Sequence, residues 1–213
     1  MENVAVKLPP TARTALIIVD MQNGFCRDEG SAKTAGFDIA QCQSAIEPCE
    51  NLIKAARAHT VPIIYTRLVW REDYRDGGVI ANVVLPGLIE AKMCAKDSGD
   101  AELIDEMAPR VEDFIVKKNR YSAFYGTPLN SILTAHDIRH LVVCGVTTNI
   151  CVETTVRDAS QRDFRTFIVR DATGEIAPER HEWALTTMGT RFGWVVDSAD
   201  ILSAWRRNPA VAA

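Results

Sequence analysis

Short apolar, β-branched segments alternate with amphipathic segments along most of the chain. Six of them predict strands, at residues 14–20, 61–67, 113–118, 139–145, 165–171 and 193–197. The amphipathic segments predict helices, at about 44–59, 127–137, 151–163, 178–189 and 199–207. Strands that alternate with helices are typical of βαβ units, in which helices cover both faces of a parallel sheet. We therefore predict an α/β fold with three α/β/α layers and a doubly wound, six-stranded, mostly parallel sheet.

The size, composition and charge of the chain suit one globular domain. It has 213 residues, 47% hydrophobic and 24% charged, so we expect a single domain over residues 1–213. The net charge of −4 leaves no basic surplus for neutralising phosphates, which argues against a nucleic-acid partner. No apolar run is long enough for a bilayer, and no secretory signal pattern is present. We expect a cytoplasmic protein with no membrane partner.

The predicted strand ends contain the candidate functional residues. In doubly wound sheets, ligands bind beyond the carboxyl ends of the strands, where the strand order reverses. The residues at these ends are Asp20, Arg67, Lys117 or Lys118, the stretch from Gly145 to Cys151, and Asp171. A carboxylate, an amine and a thiol at three strand ends can therefore converge on one pocket.

Cys151 differs from the other five cysteines because it lies at the predicted start of a helix, just after a strand. A helix N-terminus and a nearby ammonium both favour a thiolate, which is the nucleophilic form. A carboxylate can take up the thiol proton, and free backbone N–H groups can hold a developing oxyanion. Asp, Lys and Cys are thus a chemically complete set for attack on an amide carbonyl.

Three segments resemble the motifs of the isochorismatase-like cysteine hydrolases, a family that includes nicotinamidase and several ureido and carbamoyl amidohydrolases. The segments are IIVDMQNGF (17–25), VKKNRYSAF (116–124) and CGVTTNICVETTVRDA (144–159), and the resemblance extends from about residue 12 to 205. It implies a catalytic triad of Asp20, Lys118 and Cys151. Lys118 is chosen over Lys117 because the family pattern places the lysine six residues before Phe124, and adjacent strand residues face opposite ways.

The resemblance also implies features beyond the triad. It implies a non-proline cis peptide bond between Val146 and Thr147, which turns the backbone N–H groups of Thr147 and Cys151 toward the oxyanion. It implies a homodimer or homotetramer, and a reaction that needs no cofactor.

The segment after the second strand bears on the substrate. Metal-dependent nicotinamidases have histidines there, whereas YTRLVWREDYRDGG has none, so we predict no metal site and disfavour nicotinamide. True isochorismatases lack the nucleophilic Cys, so vinyl-ether hydrolysis is disfavoured as well. Within the family, the chain looks most similar to ureidoacrylate amidohydrolase.

Six residues are predicted to bind the substrate. Arg67, Arg71 and Tyr74 are expected to hold a substrate carboxylate or ureido oxygen, and the pocket is expected to be lined by Gln22, Phe25 and Asn149. An ion pair with Asp73 or Asp76 would explain Arg67 equally well.

These observations predict a cysteine amidohydrolase with a small-molecule substrate. It would cleave a linear C–N bond of a ureido or carbamoyl compound through a thioester, and release ammonia or a carbamoyl product. Two alternatives stay open at this point. One is a nicotinamidase-like or other small-amide deamidase, and the other is a non-enzymatic scaffold with the same fold.

Overall fold

The strands form one parallel six-stranded sheet. The computed structural model describes residues 7–207. The strands are β1 (Thr14–Val19), β2 (Ile63–Leu68), β3 (Phe114–Lys118), β4 (His140–Val146), β5 (Arg165–Gly174) and β6 (Trp194–Val196). Their order is β3-β2-β1-β4-β5-β6, and every neighbouring pair is parallel. The predicted doubly wound α/β fold is confirmed.

Helices lie on both faces of the sheet. They are α1 (Asn23–Cys26), α2 (Ser31–Thr34), α3 (Ala40–Ser44), α4 (Ile46–Ala58), α5 (Gly87–Glu90), α6 (Leu129–Ala135), α7 (Glu153–Ser160), α8 (Pro178–Arg191) and α9 (Ser198–Arg207). Two 3₁₀ turns (Gly99–Ala101, Asp105–Met107) and two π-turns (Ile80–Val84, Thr148–Val152) complete the regular structure. Among the described residues, no helix is both long and apolar enough to cross a membrane.

The alternation of side chains along the strands builds two cores. On β1, Leu16 and Ile18 belong to the core beneath α4 and α9, whereas Ala15, Ile17 and Val19 belong to the core beneath α6, α7 and α8. A strand that is buried on both faces needs apolar residues at every position, which explains the continuous run TALIIV.

A close approach of β1 and β4 lies at the point where the strand order reverses. Gly145 pairs with Val19 and has φ +110°. A Cβ atom at this position would lie 2.1 Å from the Val19 carbonyl oxygen, so only glycine fits. The carboxyl ends of β1 and β4 are therefore held tightly side by side.

Strand β5 ends later than the sequence predicts. It continues past the predicted end at residue 171 to Gly174, and its pairing with β4 shifts register between Val143 and Gly145. Asp171 is thus not a strand-end residue of the site. Its carboxylate instead accepts hydrogen bonds from the backbone N–H and the hydroxyl of Ser198, at the start of α9. Glu175 takes the strand-end position.

Candidate active site

The Lys118 ammonium contacts both the Asp20 carboxylate and the Cys151 thiol, and all three residues lie at or just after strand ends. Asp20 follows β1 directly, in the left-handed backbone region with φ 49°, and Lys118 is the last residue of β3. The Lys118 Nζ lies 2.6 Å from Asp20 Oδ2 and 3.4 Å from Cys151 Sγ, and it also donates to the Arg120 carbonyl at 3.2 Å. The side chains of Asp20 and Lys118 are fully buried, and Cys151 is 4% exposed. The structure thus brings the predicted triad residues together.

A threonine that the sequence analysis missed completes the surroundings of Asp20. Thr66 lies on β2, between the strands that supply Asp20 and Lys118. Its hydroxyl donates to Asp20 Oδ1 at 2.6 Å and accepts from the Asp20 backbone N–H at 3.2 Å. A β-branched residue inside an apolar strand gives no sign of such a role, because the role depends on the strand order.

The second carboxylate oxygen of Asp20 keeps acceptor capacity. Although Oδ2 lies close to the Lys118 ammonium, the contact does not have hydrogen-bond geometry, and Oδ2 accepts no other hydrogen bond from the described residues. A carboxylate oxygen can accept more than one proton donor. Oδ2 is therefore available to a proton from the neighbouring thiol.

Burial decides the charge state of the cluster. Burial alone would lower the pKa of Lys118, but the charges of Asp20 and Cys151 outweigh it and raise this pKa above its ordinary value. Burial raises the pKa of the Cys151 thiol to about 12; the charge of Lys118 opposes this rise, and that of Asp20 adds to it. The raised pKa of Cys151 fits the expectation that a carboxylate takes up the thiol proton as the sulfur attacks.

Cys151 lies in a π-turn, Thr148–Val152, that precedes α7, so the predicted helix starts with a wider turn. This Cys151 turn follows a cis peptide bond between Val146 and Thr147, at the position that the resemblance implied. The Thr147 carbonyl accepts hydrogen bonds from the N–H groups of Ile150 and Val152, both at 3.2 Å. The thiol is thus fixed by backbone contacts of its own turn.

Two further side chains contact the Cys151 turn: Glu175, directly after β5, and His181, on α8. Glu175 Oε2 accepts the backbone N–H of Asn149 at 2.8 Å, and Thr148 Oγ1 lies 2.9 Å from His181 Nδ1. Burial raises the pKa of Glu175, and hydrogen bonds from backbone N–H groups, including that of Ile176, partly offset the rise. Neither residue was predicted from the sequence. A carboxylate after β5 was a usable signal, but the predicted strand end was three residues too early.

Gln22 does not line a pocket as predicted. Its side-chain amide donates to the carbonyls of Leu68 and Ala101 at 2.9 and 2.8 Å, and its Oε1 accepts the Leu68 N–H at 2.8 Å. The amide is fully buried and committed to backbone groups. Gln22 therefore ties the end of β2 to the 3₁₀ turn Gly99–Ala101.

Arg67 is a second correction. Because adjacent strand residues face opposite ways, Thr66 faces the triad and Arg67 faces away from it. The guanidinium donates to the Ala101 carbonyl at 2.9 Å and pairs with Glu102 at 2.5 Å. The alternative partners, Asp73 and Asp76, are also wrong.

Arg71 and Tyr74 have other contacts than the predicted ones. Arg71 is exposed and pairs with Asp73 at 2.9 Å, on the rim of a surface cavity of about 660 Å³. Tyr74 is 2% exposed, and its hydroxyl donates to the Met93 carbonyl at 2.8 Å inside the core. The Tyr74 hydroxyl is therefore not directed at the triad. Arg71 also lines a cavity of about 270 Å³ together with Lys118, so its role in substrate binding stays a prediction.

Phe25 and Asn149 are placed differently from each other. Phe25 is buried in the core on the α4 side of the sheet, where it packs rather than lining open space. Asn149 lies two residues before Cys151, and its buried Oδ1 accepts no hydrogen bond from the described residues. Of the six predicted substrate-binding residues, Asn149 keeps a position beside the thiol. Within residues 7–207, no group of three or more His, Cys, Asp or Glu residues is arranged to hold a metal ion.

The fold and the site define a class: doubly wound α/β proteins with a buried carboxylate, ammonium and thiol where the strand order reverses. The chain belongs to the isochorismatase family, since the model of the Isochorismatase domain matches residues 14–200. It is 35% identical to the ureidoacrylate amidohydrolase of Azorhizobium caulinodans, over 92% of each chain. It is 33% identical to that of Acinetobacter baylyi, over 99% of this chain and 91% of the relative.

Solved structures of related proteins share the fold. A cysteine hydrolase from Pseudomonas syringae pv. phaseolicola is 30% identical, with a TM-score of 0.85 over 96% of this chain and 100% of its own. The N-carbamoylsarcosine amidase from Thermoplasma acidophilum is 28% identical, with a TM-score of 0.69 over 87% of this chain and 96% of its own.

Proposed function

We propose that the protein is a cysteine amidohydrolase that cleaves a linear C–N bond of a small ureido or carbamoyl compound. The observation that carries this proposal is the single ammonium of Lys118, which contacts both Asp20 and Cys151 in a buried site. The kinship with ureidoacrylate amidohydrolases and with an N-carbamoylsarcosine amidase supports this substrate class.

The first half of the reaction forms a thioester. Asp20 takes the thiol proton while Cys151 Sγ bonds to the substrate carbonyl carbon, and the carbonyl electron pair moves to oxygen. The backbone N–H groups of Thr147 and Cys151 hold this oxyanion. The tetrahedral intermediate then collapses, the C–N bond breaks, and the leaving nitrogen takes a proton from Asp20 and departs as ammonia or an amine.

The second half regenerates the thiol. Asp20 takes a proton from a water molecule as its oxygen attacks the thioester carbon, and the C–S bond breaks after a second tetrahedral intermediate. The sulfur leaves as a thiolate, which is stabilised by the Lys118 ammonium and reprotonated by Asp20. The raised pKa of Cys151 makes a base necessary, because the thiol does not ionise at neutral pH without one.

Substitution of the nucleophile tests the proposal. Cys151→Ala and Cys151→Ser are expected to abolish ammonia release from ureidoacrylate, biuret, carbamoylsarcosine and simple aliphatic amides, with an unchanged far-UV circular dichroism spectrum. Cys42→Ala, which removes another buried thiol, is the matched control and should retain turnover. Intact-mass measurement of the wild-type enzyme during turnover should detect an acyl adduct on Cys151.

Three outcomes would contradict the proposal, and two of them would favour an alternative function. Near-native activity of Cys151→Ala would refute the nucleophile assignment. Loss of wild-type activity in a chelator, with nicotinamide as the preferred substrate, would favour a metal-assisted deamidase. A folded wild-type protein that releases no ammonia from any amide would favour a non-enzymatic scaffold.

A further inference from the structure

Glu175 is a buried carboxylate with no ion-pair partner among the described residues. It lies directly after β5 and is fully buried, and it accepts hydrogen bonds from the backbone N–H groups of Asn149 and Ile176. The charge of Arg180 also favours the ionised carboxylate, although the two side chains form no ion pair. Burying a carboxylate is costly unless hydrogen bonds hold it. Asp171, near the same end of β5, holds the start of α9, whereas Glu175 holds the turn that contains the thiol.

The contact at Asn149 fixes the middle of the Cys151 turn. Asn149 lies between Thr147 and Cys151, whose N–H groups are assigned to the oxyanion. The N–H of Asn149 is directed at Glu175, while those of Ile150 and Val152 are directed at the Thr147 carbonyl. The peptide planes of consecutive residues are linked through only two dihedral angles per residue. Fixing these three N–H groups therefore restricts the orientation of the N–H groups of Thr147 and Cys151.

We propose that Glu175 is a positioning residue of the hydrolase reaction. Its carboxylate orients the Cys151 turn so that the N–H groups of Thr147 and Cys151 face the oxyanion. This inference rests on the proposed function, and it adds a requirement that the triad alone does not contain. Glu175 contacts no reacting atom; it acts through the backbone of Asn149.

A second contact, from α8, acts on the same turn. The Thr148 hydroxyl and the His181 ring nitrogen are 2.9 Å apart in a buried environment. Burial lowers the pKa of His181, so the ring is neutral at neutral pH and can pair with a hydroxyl as donor or acceptor. Glu175 and His181 thus hold adjacent residues of the turn, Asn149 and Thr148.

Removal of the carboxylate should lower kcat rather than binding. Glu175→Ala is expected to reduce kcat about 100-fold, the usual effect of a lost oxyanion donor, with KM within about threefold of wild type. Glu175→Gln keeps one acceptor oxygen for the Asn149 N–H and should recover kcat to within about tenfold of wild type. Asp171→Ala is the matched control, because it removes a carboxylate of β5 that does not contact the Cys151 turn; its kcat should be unchanged.

Alkylation of the thiol separates positioning from a general loss of structure. Iodoacetamide forms a C–S bond and releases iodide without creating an oxyanion, while Asp20 or hydroxide takes the thiol proton. Cys151 of Glu175→Ala should therefore be alkylated at a rate within about threefold of wild type, although kcat falls about 100-fold. Intact-mass measurements across pH 7–10 follow the alkylation.

Three results would overturn the proposal: a near-wild-type kcat in Glu175→Ala, an equal loss of kcat in Asp171→Ala, or parallel losses of alkylation and turnover. If Glu175→Ala does not fold, Glu175→Gln decides: a kcat about three- to tenfold below wild type, with little change in KM and in the alkylation of Cys151, supports the proposal, and a wild-type kcat overturns it. Failure of the proposed function is a separate result, namely persistent turnover in Cys151→Ala.

Discussion

Thr66 determines which way the Asp20 carboxylate faces. Its hydroxyl donates to one carboxylate oxygen and leaves the other, Oδ2, to Lys118 and the thiol. In the proposed reaction Asp20 acts first as a base and then as an acid, so its carboxylate has to keep one orientation through both proton transfers. Thr66 provides that constraint from the neighbouring strand.

Thr66→Val should therefore affect both stability and activity. It leaves Asp20 Oδ1 buried without its hydroxyl donor, which costs about 1–3 kcal/mol in the free energy of unfolding. Loss of carboxylate alignment is expected to lower kcat by about 10- to 100-fold. Thr66→Ser keeps the hydroxyl and is the control. Urea denaturation and steady-state kinetics measure the two effects, and a Val variant as active as the Ser variant would contradict the assignment.

The Lys118 ion pair predicts a pH dependence of stability. The pKa of Lys118 is raised in the folded state. The ion pair therefore adds fully to the free energy of unfolding below the unfolded-state pKa of about 10.4, and this stabilisation is lost as pH rises through the higher folded-state pKa. Lys118→Met should be less stable than wild type by about 3–5 kcal/mol at pH 7, because it leaves Asp20 buried and unpaired.

The difference between the two proteins should shrink above pH 10.4, and denaturant unfolding from pH 7 to 11 measures it. Lys117→Met, at the adjacent exposed lysine of β3, is the control. A difference that grows with rising pH would contradict the assignment.

The long strands and helices were predictable because the spacing of apolar residues along the chain matches the residues that each element buries. The six strands and the helices α4, α6, α7, α8 and α9 follow from it. The short helices α1, α2 and α3 did not, since four or five residues are too few to establish a period.

The meeting of Asp20, Lys118 and Cys151 was predictable, and most of its surroundings were not. Asp20, Lys118 and Cys151 lie in local motifs, which a sequence displays. Thr66 and Glu175 contact the site through strand order and strand length, which a sequence does not display. The substrate-binding predictions for Arg67 and Tyr74 failed for a related reason: the sequence does not show which backbone carbonyl a polar side chain meets in the fold.

The junction of β1 and β4 depends on one glycine. Gly145→Ala would place a Cβ atom 2.1 Å from the Val19 carbonyl oxygen at φ +110°. We expect a loss of about 3 kcal/mol or more in the free energy of unfolding. Activity should also fall, because Asp20 and Cys151 follow the two strands that are pushed apart.

Gly126→Ala is the matched control for the junction. Gly126 also has a positive φ, of 67°, but no atom lies within 4 Å of the Cβ position, so its cost is limited to about 1–2 kcal/mol. Thermal unfolding and kinetics of both variants measure the effects. Equal losses in the two would show that backbone conformation, not the β1–β4 contact, is responsible.

At the scale of the whole molecule, both cores share the strands of one sheet. Strands β1, β4 and β5 contribute side chains to each core, so neither core persists without the other. The single domain stays a prediction, and cooperative unfolding tests it. Fluorescence of the buried Trp70 and Trp205, both in the α4-side core, should follow the same urea transition as far-UV circular dichroism. Separate transitions would indicate two folding units.

Assembly stays a prediction as well. The resemblance implies a homodimer or homotetramer. Of the four tryptophans, Trp70 and Trp205 are buried in the core, and Trp194 is half-buried. Trp183 on α8 is 76% exposed in the isolated chain, which makes it the candidate for burial at a subunit contact.

The enclosure of the site limits how fast a cycle can run. Asp20 and the Lys118 side chain have no contact with solvent, and Cys151 has almost none. A substrate has to be admitted before the sulfur can attack, and a water molecule has to be admitted before the acyl group can leave. In the proposed reaction, admission of substrate and water to so buried a site is a step separate from the chemistry, and we expect its frequency to set a ceiling on kcat.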